Sequence, residues 1–565
     1  MNSINSDSNS ENIFRLENKE VNGTYDSINF NGGDDSSKTR RDSDDNVSDI
    51  NKSAPAPEEH DPPCTGEEAT LNMSLLHEII FVLLVSSSQV LGLAGAVQGI
   101  PQMDVIVEWF KLTHPSDSGW CNGGYATTYG SFVLIAGKMG DMNGHKSMFL
   151  IGYAWLALWS LLTGFSRYCP SSHFFFFCRA AQGIGAAFTF TSALSILGKS
   201  YPPCKRKNFI FSFFGACGSF GVVLGMVFSA LFTQLAHWSW AYWSMAIACV
   251  VIIILSIFFI PGDVVEKHET SNVFYFDYLG AFLFVTGLVL FSVAWNQAPT
   301  YGFGRTYVYV LLIVSVVILA LAMYVETKVD DPLLPWTHIS ANTLKVLLAI
   351  FFAYASFTMW AAYTFRFNLM AKGDTLLLAA AKMTPMAVSG VFAALFSALL
   401  LNIHVQVQIR MLISLLAFLV PPILMATMGA GQTYWGEVFV TTIVISFGLD
   451  ISFPSATLLL SNRIPDKFKG LGASLVGAVL NYATALGPPT AASVLRYQCP
   501  DCMAHKGNAF TKTINIIGYV GIGTAGLGTL VAIFGVITEY PKVAGKKGED
   551  RKHSLTLTTN VRSQQ

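Results

Sequence analysis

The chain has 565 residues, 52% of them hydrophobic and only 13% charged, with a net charge of −1. An ordinary soluble protein carries roughly 25% charged residues, so composition argues against a large soluble enzyme or binding module, and a near-neutral chain has no electrostatic footprint for nucleic acid. Nine cysteines over this length do not make a disulfide framework.

Residues 1–74 are set apart by their Asn, Asp, Ser and Glu content and by Pro55, Pro57, Pro62 and Pro63. Such a segment buries too little apolar area to offset the entropy of ordering, so a disordered cytosolic tail is expected. It has no basic stretch followed by an apolar core, hence no cleavable signal peptide. Arg40-Arg41-Asp42-Ser43-Asp44-Asp45 reads as a solvated charge run, with a kinase site as the alternative.

From about residue 75 to 540, apolar runs of roughly 20 residues recur between short polar breaks. A hydrocarbon core of ~30 Å is crossed by ~20 residues at ~1.5 Å each, and lipid offers the backbone no hydrogen-bond partner, so each run must close its own bonds as a helix. The ~10-residue alternating strands of a β-barrel are absent from the sequence. Helices are expected near 76–100, 121–138, 147–166, 174–198, 208–233, 240–260, 277–297, 306–326, 343–365, 375–401, 409–430, 434–460, 470–495 and 513–538. That count is about fourteen, which places both termini on one side. Lys and Arg are more frequent in the loops that are cytosolic when the N-terminus is inside, as at Lys138, Lys146, Lys199, Lys205, Arg206 and Lys207. The sequons at Asn22, Asn46 and Asn51 are then cytosolic and unused. Cys499 and Cys502 fall in the last outer loop, where a disulfide or free thiols are favoured over metal, because no further ligands are spaced for zinc.

Between the second and third runs stands Gly137-Lys138-Met139-Gly140-Asp141-Met142-Asn143-Gly144-His145-Lys146. Gly137 and Gly144 permit close backbone approach and positive φ, and Asp141 can lie against the positive end of a neighbouring helix. A generic polar turn is the plain alternative. The fourth run opens on Cys178-Arg179-Ala180-Ala181-Gln182-Gly183, where Arg179, Gln182, Gly183 and Ala186 share one helical face. A cation in a membrane helix costs at least ~2.5 kcal/mol unless it faces a cavity or partner, or snorkels to the interface. The fifth run carries Gly215, Gly218, Gly221 and Gly225, a spacing that suits close helix packing.

These segments resemble the major facilitator superfamily: the first is similar to its G-x-L-x-D-R-x-G-R-K loop, with Met142 and His145 as departures. The second is similar to its R-x-x-Q-G-x-G helix, and Gly221-Val222-Val223-Leu224-Gly225-Met226 resembles the G-P-x-x-G-G pattern of its antiporters. Trp295-Asn296-Gln297-Ala298-Pro299, Asp331-Pro332-Leu333-Leu334-Pro335, Ser446 to Pro454 and Gly472-Ala473-Ser474-Leu475-Val476 look like the fungal aminotriazole-resistance and boron-efflux transporters of the fourteen-helix drug/proton antiporter branch. That branch usually has an Asp in its first helix. Aligning on Pro101 puts Gly92 there, so that proton site is missing.

The resemblance implies an all-α polytopic fold of two six-helix bundles, 75–262 and 341–540, with an extra helix pair in 263–340 and a cytosolic C-terminal tail at 541–565. It implies that the loop of Gly137, Asp141, Gly144 and Lys146 latches the inner gate. Asp450 sits near mid-depth of the twelfth run, where an unpartnered carboxylate is costly, and is the candidate proton carrier. Pro454, four residues on, frees a backbone carbonyl near it; a protonated Asp that only packs is the alternative. Arg179 is the second candidate coupling residue. At about 5 against 16 residues from the outer end, the two lie ~16 Å apart along the axis, so a direct ion pair is not expected. On the same mapping Gln89, Gln98, Gln182, Tyr354, Trp360, Tyr363 and Phe453 line the solute path, and their aromatic and amide groups suit small neutral or weakly polar, aromatic solutes.

The expected function is proton-coupled efflux of small toxic molecules such as drugs, aminotriazole-like compounds or boric acid. A gradient-driven facilitator or importer and a transporter-like nutrient receptor are the alternatives. The expected partners are a small solute, protons and the bilayer. The protein is expected to be a monomer, in the plasma membrane in preference to the vacuolar membrane, without cofactor or metal. Gly198-Lys199-Ser200 imitates the end of a P-loop, but Ala193 stands where its first Gly must be, and no H-x-x-H-H cluster marks a membrane enzyme.

Overall fold

A computed structural model describes residues 74–562, apart from 113–116, 118, 202–204, 263–275, 330–331, 335–338, 404, 430, 462–468 and 499–507. The tail up to residue 73, with its charge run and sequons, and the pair Cys499 and Cys502 lie outside the described residues. All elements below belong to one compact unit. Among the described residues there is no β-strand.

The N-terminal helices are α1 (Leu75–Val97), α2 (Met103–Trp109), α3 (Trp120–Asn143), α4 (His145–Phe165), α5 (Ser172–Ser200), α6 (Lys205–Leu235) and α7 (Ser239–Phe259). A hairpin follows, α8 (Tyr278–Tyr301) and α9 (Thr306–Glu326). The C-terminal helices are α10 (Ala341–Met370), α11 (Leu376–Ala381), α12 (Pro385–Asn402), α13 (Val407–Met425), α14 (Val438–Ser461), α15 (Lys469–Gln498) and α16 (Asn508–Arg562).

Among the described residues, twelve helices are long and apolar enough to cross a membrane. The two expected segments outside that set are α3 and α15, of 24 and 30 residues. Both reach across a ~30 Å core by length, but glycine, threonine and asparagine dilute their apolarity. They pack against each other, and α3 also against α5, so the small polar residues face protein rather than lipid.

Local chemistry sets the boundaries. α1 stops at Val97, ahead of Gly99 and Pro101, and the chain turns into the short α2, whose Met103 and Ile106 are buried. The expected helix over 375–401 is broken: α11 ends at Ala381 and α12 restarts with Pro385 in its first turn, where a missing N–H costs nothing. The expected start at 434 is a 3₁₀ turn over Tyr434–Gly436 instead, with α14 beginning at Val438. α16 continues past 538, where its apolar stretch ends, to Arg562. Side-chain caps open α1 at Ser74, α8 at Asp277 and α10 at Ser340. α3 and α4 are joined by the single residue Gly144 at φ 90°, a conformation that excludes most side chains.

α5 and α10 are 78% buried over their apolar windows, against 17% for α9, which fixes the first two as inner helices and the last as lipid-facing. Phe258, Phe282 and Leu530 stand exposed on peripheral helices, as a hydrocarbon solvent requires. Within the N-terminal part α1, α3, α4, α5, α6 and α7 pack together; within the C-terminal part α10, α12, α13, α14, α15 and α16 do. The two parts meet along two seams, α3 with α15 and α6 with α12 and α14, and α8 lies across the first of them, touching both α3 and α15.

Candidate functional site

The α6 seam holds the carboxyl singled out in the sequence. Asp450 of α14 is 1% exposed. Both of its oxygens accept the hydroxyl of Ser219 on α6, at 3.0 and 2.8 Å. α12 contributes Gly390 at the same point, where a Cβ would stand 2.8 Å from the Ser219 Cβ and 3.0 Å from Asp450 Oδ2. Any larger residue there would push the seam apart. Two residues along α14, Ser452 shares a 3.2 Å hydrogen bond with the hydroxyl of Tyr354 on α10. One residue further, the Phe453 ring lies 6.0 Å from Phe190 of α5 and 6.4 Å from Phe214 of α6. An aromatic cluster therefore closes the seam next to the carboxyl.

Arg179 occupies a separate site on α5. It is fully buried and bound on all sides within the N-terminal helices. Nε donates to the carbonyl of Cys121 at 2.7 Å, one terminal nitrogen to that of Gly95 at 2.6 Å and the other to Gln182 Oε1 at 2.6 Å. Its guanidinium carbon lies 4.8 Å from the Tyr125 ring centre and 5.5 Å from that of Tyr242. Gln182 passes the chain on, donating to Ser160 Oγ at 2.8 Å. The arginine thus ties α1, α3 and α5 together through charge-assisted bonds to carbonyls. Among the described residues neither Arg179 nor Asp450 forms an ion pair.

The other expected solute-path residues scatter around these two centres. Gln89 is buried on α1 beside Gly218, whose Cβ would stand 3.2 Å from its Nε2. Gln98 is buried just beyond α1, and its backbone carbonyl accepts from Ser229 Oγ at 2.5 Å. Trp360 and Tyr363 are buried on α10. The Trp360 ring stacks on Phe357 at 6.2 Å and 30°. Gly92, at the position of the antiporters' first-helix Asp, is packed under Tyr129: a Cβ would stand 2.9 Å from its hydroxyl. The glycines of α6 serve close packing, since at Gly221 and Gly225 a Cβ would fall 2.4 and 2.5 Å from the carbonyl oxygens of Val90 and Ala94.

At the end of α3, Asp141 accepts from His145 Nε2 at 3.1 Å and lies 3.9 Å from Lys199 Nζ at the end of α5. Lys146 donates to the carbonyls of Ile257, at 3.3 Å, and Ile260, capping α7. These contacts stay within the N-terminal part. Across the seam Gly137 approaches α15, where a Cβ would stand 3.0 Å from Ser474 Oγ.

A cavity of about 40 Å³ opens between the two parts, lined by α1, α3, α6, α10 and α15 and by Asn296 of α8. None of the seven expected solute-path residues lines it; Trp360 stands one layer behind, stacked on the lining Phe357. Ser219, Gly390 and Asn296 were not singled out as site residues from the sequence. A serine or a glycine in a membrane helix is ordinary, and Asn296 sits in a helix pair placed outside the two bundles. Among the described residues, no three His, Cys, Asp or Glu side chains converge to hold a metal ion.

The sequence profile of the Major Facilitator Superfamily matches residues 79–488. The chain is 40% identical over 486 residues to the low affinity ammonium transporter of Saccharomyces cerevisiae, covering 85% of this chain and 93% of that one. It is 35% identical over 479 residues to efflux pump terJ of Aspergillus terreus, covering 84% and 91%. To the aminotriazole resistance protein of Saccharomyces cerevisiae it is 32% identical over 472 residues, covering 82% and 85%. With its helices long and apolar enough for many membrane crossings, the chain belongs to the Major Facilitator Superfamily and is a multi-pass membrane transporter, not an enzyme.

Proposed function

We propose that the protein is a proton-coupled exporter that removes small toxic solutes from the cytosol. It crosses the plasma membrane fourteen times as a monomer, with bundles 75–262 and 341–540, the accessory pair in 263–340, and the tails 1–74 and 541–565 in the cytosol. The efflux pump and the aminotriazole resistance protein among its relatives support export of a small molecule. The observation that carries proton coupling is Asp450, a buried carboxyl bonded to the opposite part of the protein through Ser219.

A charged carboxylate at this depth costs a few kcal/mol unless it is partnered or neutralised. While the seam is closed, Ser219 partners it. Parting the bundles admits water that hydrates the carboxylate, so the open seam favours proton release, while the closed, dry seam favours the neutral acid. Protonation therefore biases the seam towards its closed form and couples proton exchange to alternating access. Gln89, Tyr354 and Phe453 meet the solute as the bundles part. Gln98, Gln182, Trp360 and Tyr363 line the path more remotely, and Arg179 is a fixed positive charge that keeps the outer half of the N-terminal bundle in register. Gly137, Asp141, Gly144 and Lys146 form the inner gate.

The test is flux in proteoliposomes under an imposed pH gradient. Asp450→Asn should abolish gradient-driven accumulation while leaving the protein folded. Normal accumulation by that variant would refute the coupling. The relative named as a low affinity ammonium transporter favours a second reading, a gradient-driven facilitator or importer of a small solute. A protonophore leaves the initial downhill flux of a facilitator unchanged and stops uphill export by an exchanger.

A further inference from the structure

Two carboxamides, Asn122 and Asn296, line the cavity between the two parts. Asn296 of α8 is 5% exposed. Its Nδ2 is committed to α8 itself, donating to the Ser292 carbonyl at 2.9 Å and to Ser292 Oγ at 3.3 Å. That leaves Oδ1 turned towards α3, where a Cβ on Gly123 would stand 2.9 Å from it. Asn122 of α3 also lines the cavity, and its carbonyl oxygen is buried against Gly99 without a hydrogen-bond partner. It reaches its place because Gly99 has no side chain: a Cβ there would stand 2.5 Å from Asn122 Oδ1. Two glycines thus clear space for two acceptors. A buried acceptor left unpaired costs about 1–3 kcal/mol, and the cavity is where such a cost is repaid by an incoming donor.

The rest of the wall sets the charge of what can enter. Among the described residues no Asp, Glu, Lys, Arg or His lines the cavity; it is walled by small and apolar side chains, among them Ala126, Val222, Ala361 and Pro488. An ion would lose its hydration with no counter-charge in return. A small neutral molecule bearing N–H or O–H groups meets acceptors it can satisfy.

We infer that this cavity is a binding site for a small uncharged solute carrying hydrogen-bond donors. Asn122 and Asn296 are its acceptor poles, and the accessory helix α8 is part of its wall rather than a lipid-facing appendage. The inference rests on the transporter reading and adds the site and its chemistry. α8 is fixed for that role: Ser292 Oγ and Thr127 Oγ1 of α3 are hydrogen-bonded at 2.5 Å, and Trp295 Nε1 donates to Thr490 Oγ1 of α15 at 3.0 Å.

Urea and guanidinium are planar, nearly equal in size and differ by one positive charge, so they isolate the electrostatic claim. The full chain in proteoliposomes is assayed by counterflow of each radiolabelled probe at equal pH on both sides. Urea exchange at least tenfold faster than guanidinium exchange is expected. Asn296→Leu should raise KM for urea about tenfold at similar maximal rate, the effect of losing one well-placed hydrogen bond. The near-isosteric Asn296→Asp should shift the preference towards guanidinium, which keeps the test valid if the leucine variant folds poorly. No urea exchange by the unaltered protein, equal exchange of both probes, or an unchanged KM in well-folded Asn296→Leu overturns the site. Proton coupling is read on the same proteoliposomes as accumulation driven by an imposed pH gradient, which counterflow at equal pH does not require. Failure of proton coupling and failure of this site are therefore read separately.

Discussion

Ser219 Oγ donates from α6 to both carboxyl oxygens of Asp450 on α14, at 3.0 and 2.8 Å, and so joins the two parts of the protein by a buried bond. A buried side-chain hydrogen bond contributes about 0.5–1.5 kcal/mol net. Ser219→Ala should therefore lower the thermal midpoint and reduce gradient-driven flux several-fold, while Ser219→Thr, which keeps the hydroxyl, should restore most of the flux. Equal flux in the alanine variant and the unaltered protein would remove Ser219 from the coupling machinery.

Arg179 spends its donors on the Cys121 and Gly95 carbonyls and on Gln182. A lysine cannot reproduce that fork. Arg179→Lys should cost roughly 2–4 kcal/mol of stability, read as a lower melting temperature in detergent, and should destabilise more than Asp450→Asn. A melting temperature unchanged by the lysine would mean the fork carries no structural weight.

The α3 and α15 backbones touch at Gly130, where a Cβ would stand 2.6 Å from the Tyr482 nitrogen. Overpacking of this kind costs about 1–3 kcal/mol. Gly130→Ala should hold the seam apart, leaving the protein inserted and folded but at least tenfold slower in transport. Unimpaired flux would show that the seam does not need to close so tightly.

His237, in the turn between α6 and α7, has its protonation suppressed below the ordinary value of 6.5 by burial and by the nearby Arg167 charge. Its ring packs 5.2 Å from Trp109. The folded protein thus holds this imidazole neutral while the unfolded chain binds the proton. The stabilisation is present above pH ~6.5 and is lost as pH falls through the lower folded value. The melting temperature should fall on acidification through this range, and the fall should shrink in His237→Gln. The same slope in both would assign the pH dependence elsewhere.

Much of the architecture was legible because lipid leaves few options: long apolar runs must be helices, and a rare charge among them must be partnered. That logic found Arg179 and Asp450, and both are buried. It was weakest for α3 and α15, whose Gly130 and Gly477 mark contact with another helix rather than with lipid. It also missed the break between α11 and α12 at Pro385, because the apolar pattern runs straight through it. Periodicity places a residue on a face and says nothing of what faces it. Trp360 and Tyr363 were therefore assigned to the path, while the cavity wall passes through Phe357, Thr358 and Ala361 on the same helix. The partner of Asp450 was hidden for a similar reason, since nothing distinguishes Ser219 from other helix serines until the fold brings 219 and 450 together.

The hairpin of α8 and α9 is tethered unequally. To α15 it is bound by the Tyr482 hydroxyl on the Leu288 carbonyl at 2.7 Å, by Trp295 on Thr490 and by Arg496 on the Pro299 carbonyl at 3.0 Å; to α3 it is bound chiefly through Thr127 and Ser292. A rocking protein would drag this hairpin along as cargo of its C-terminal half. On the proposed motion, the Thr127 to Ser292 bond would be the contact through which α3 resists that movement.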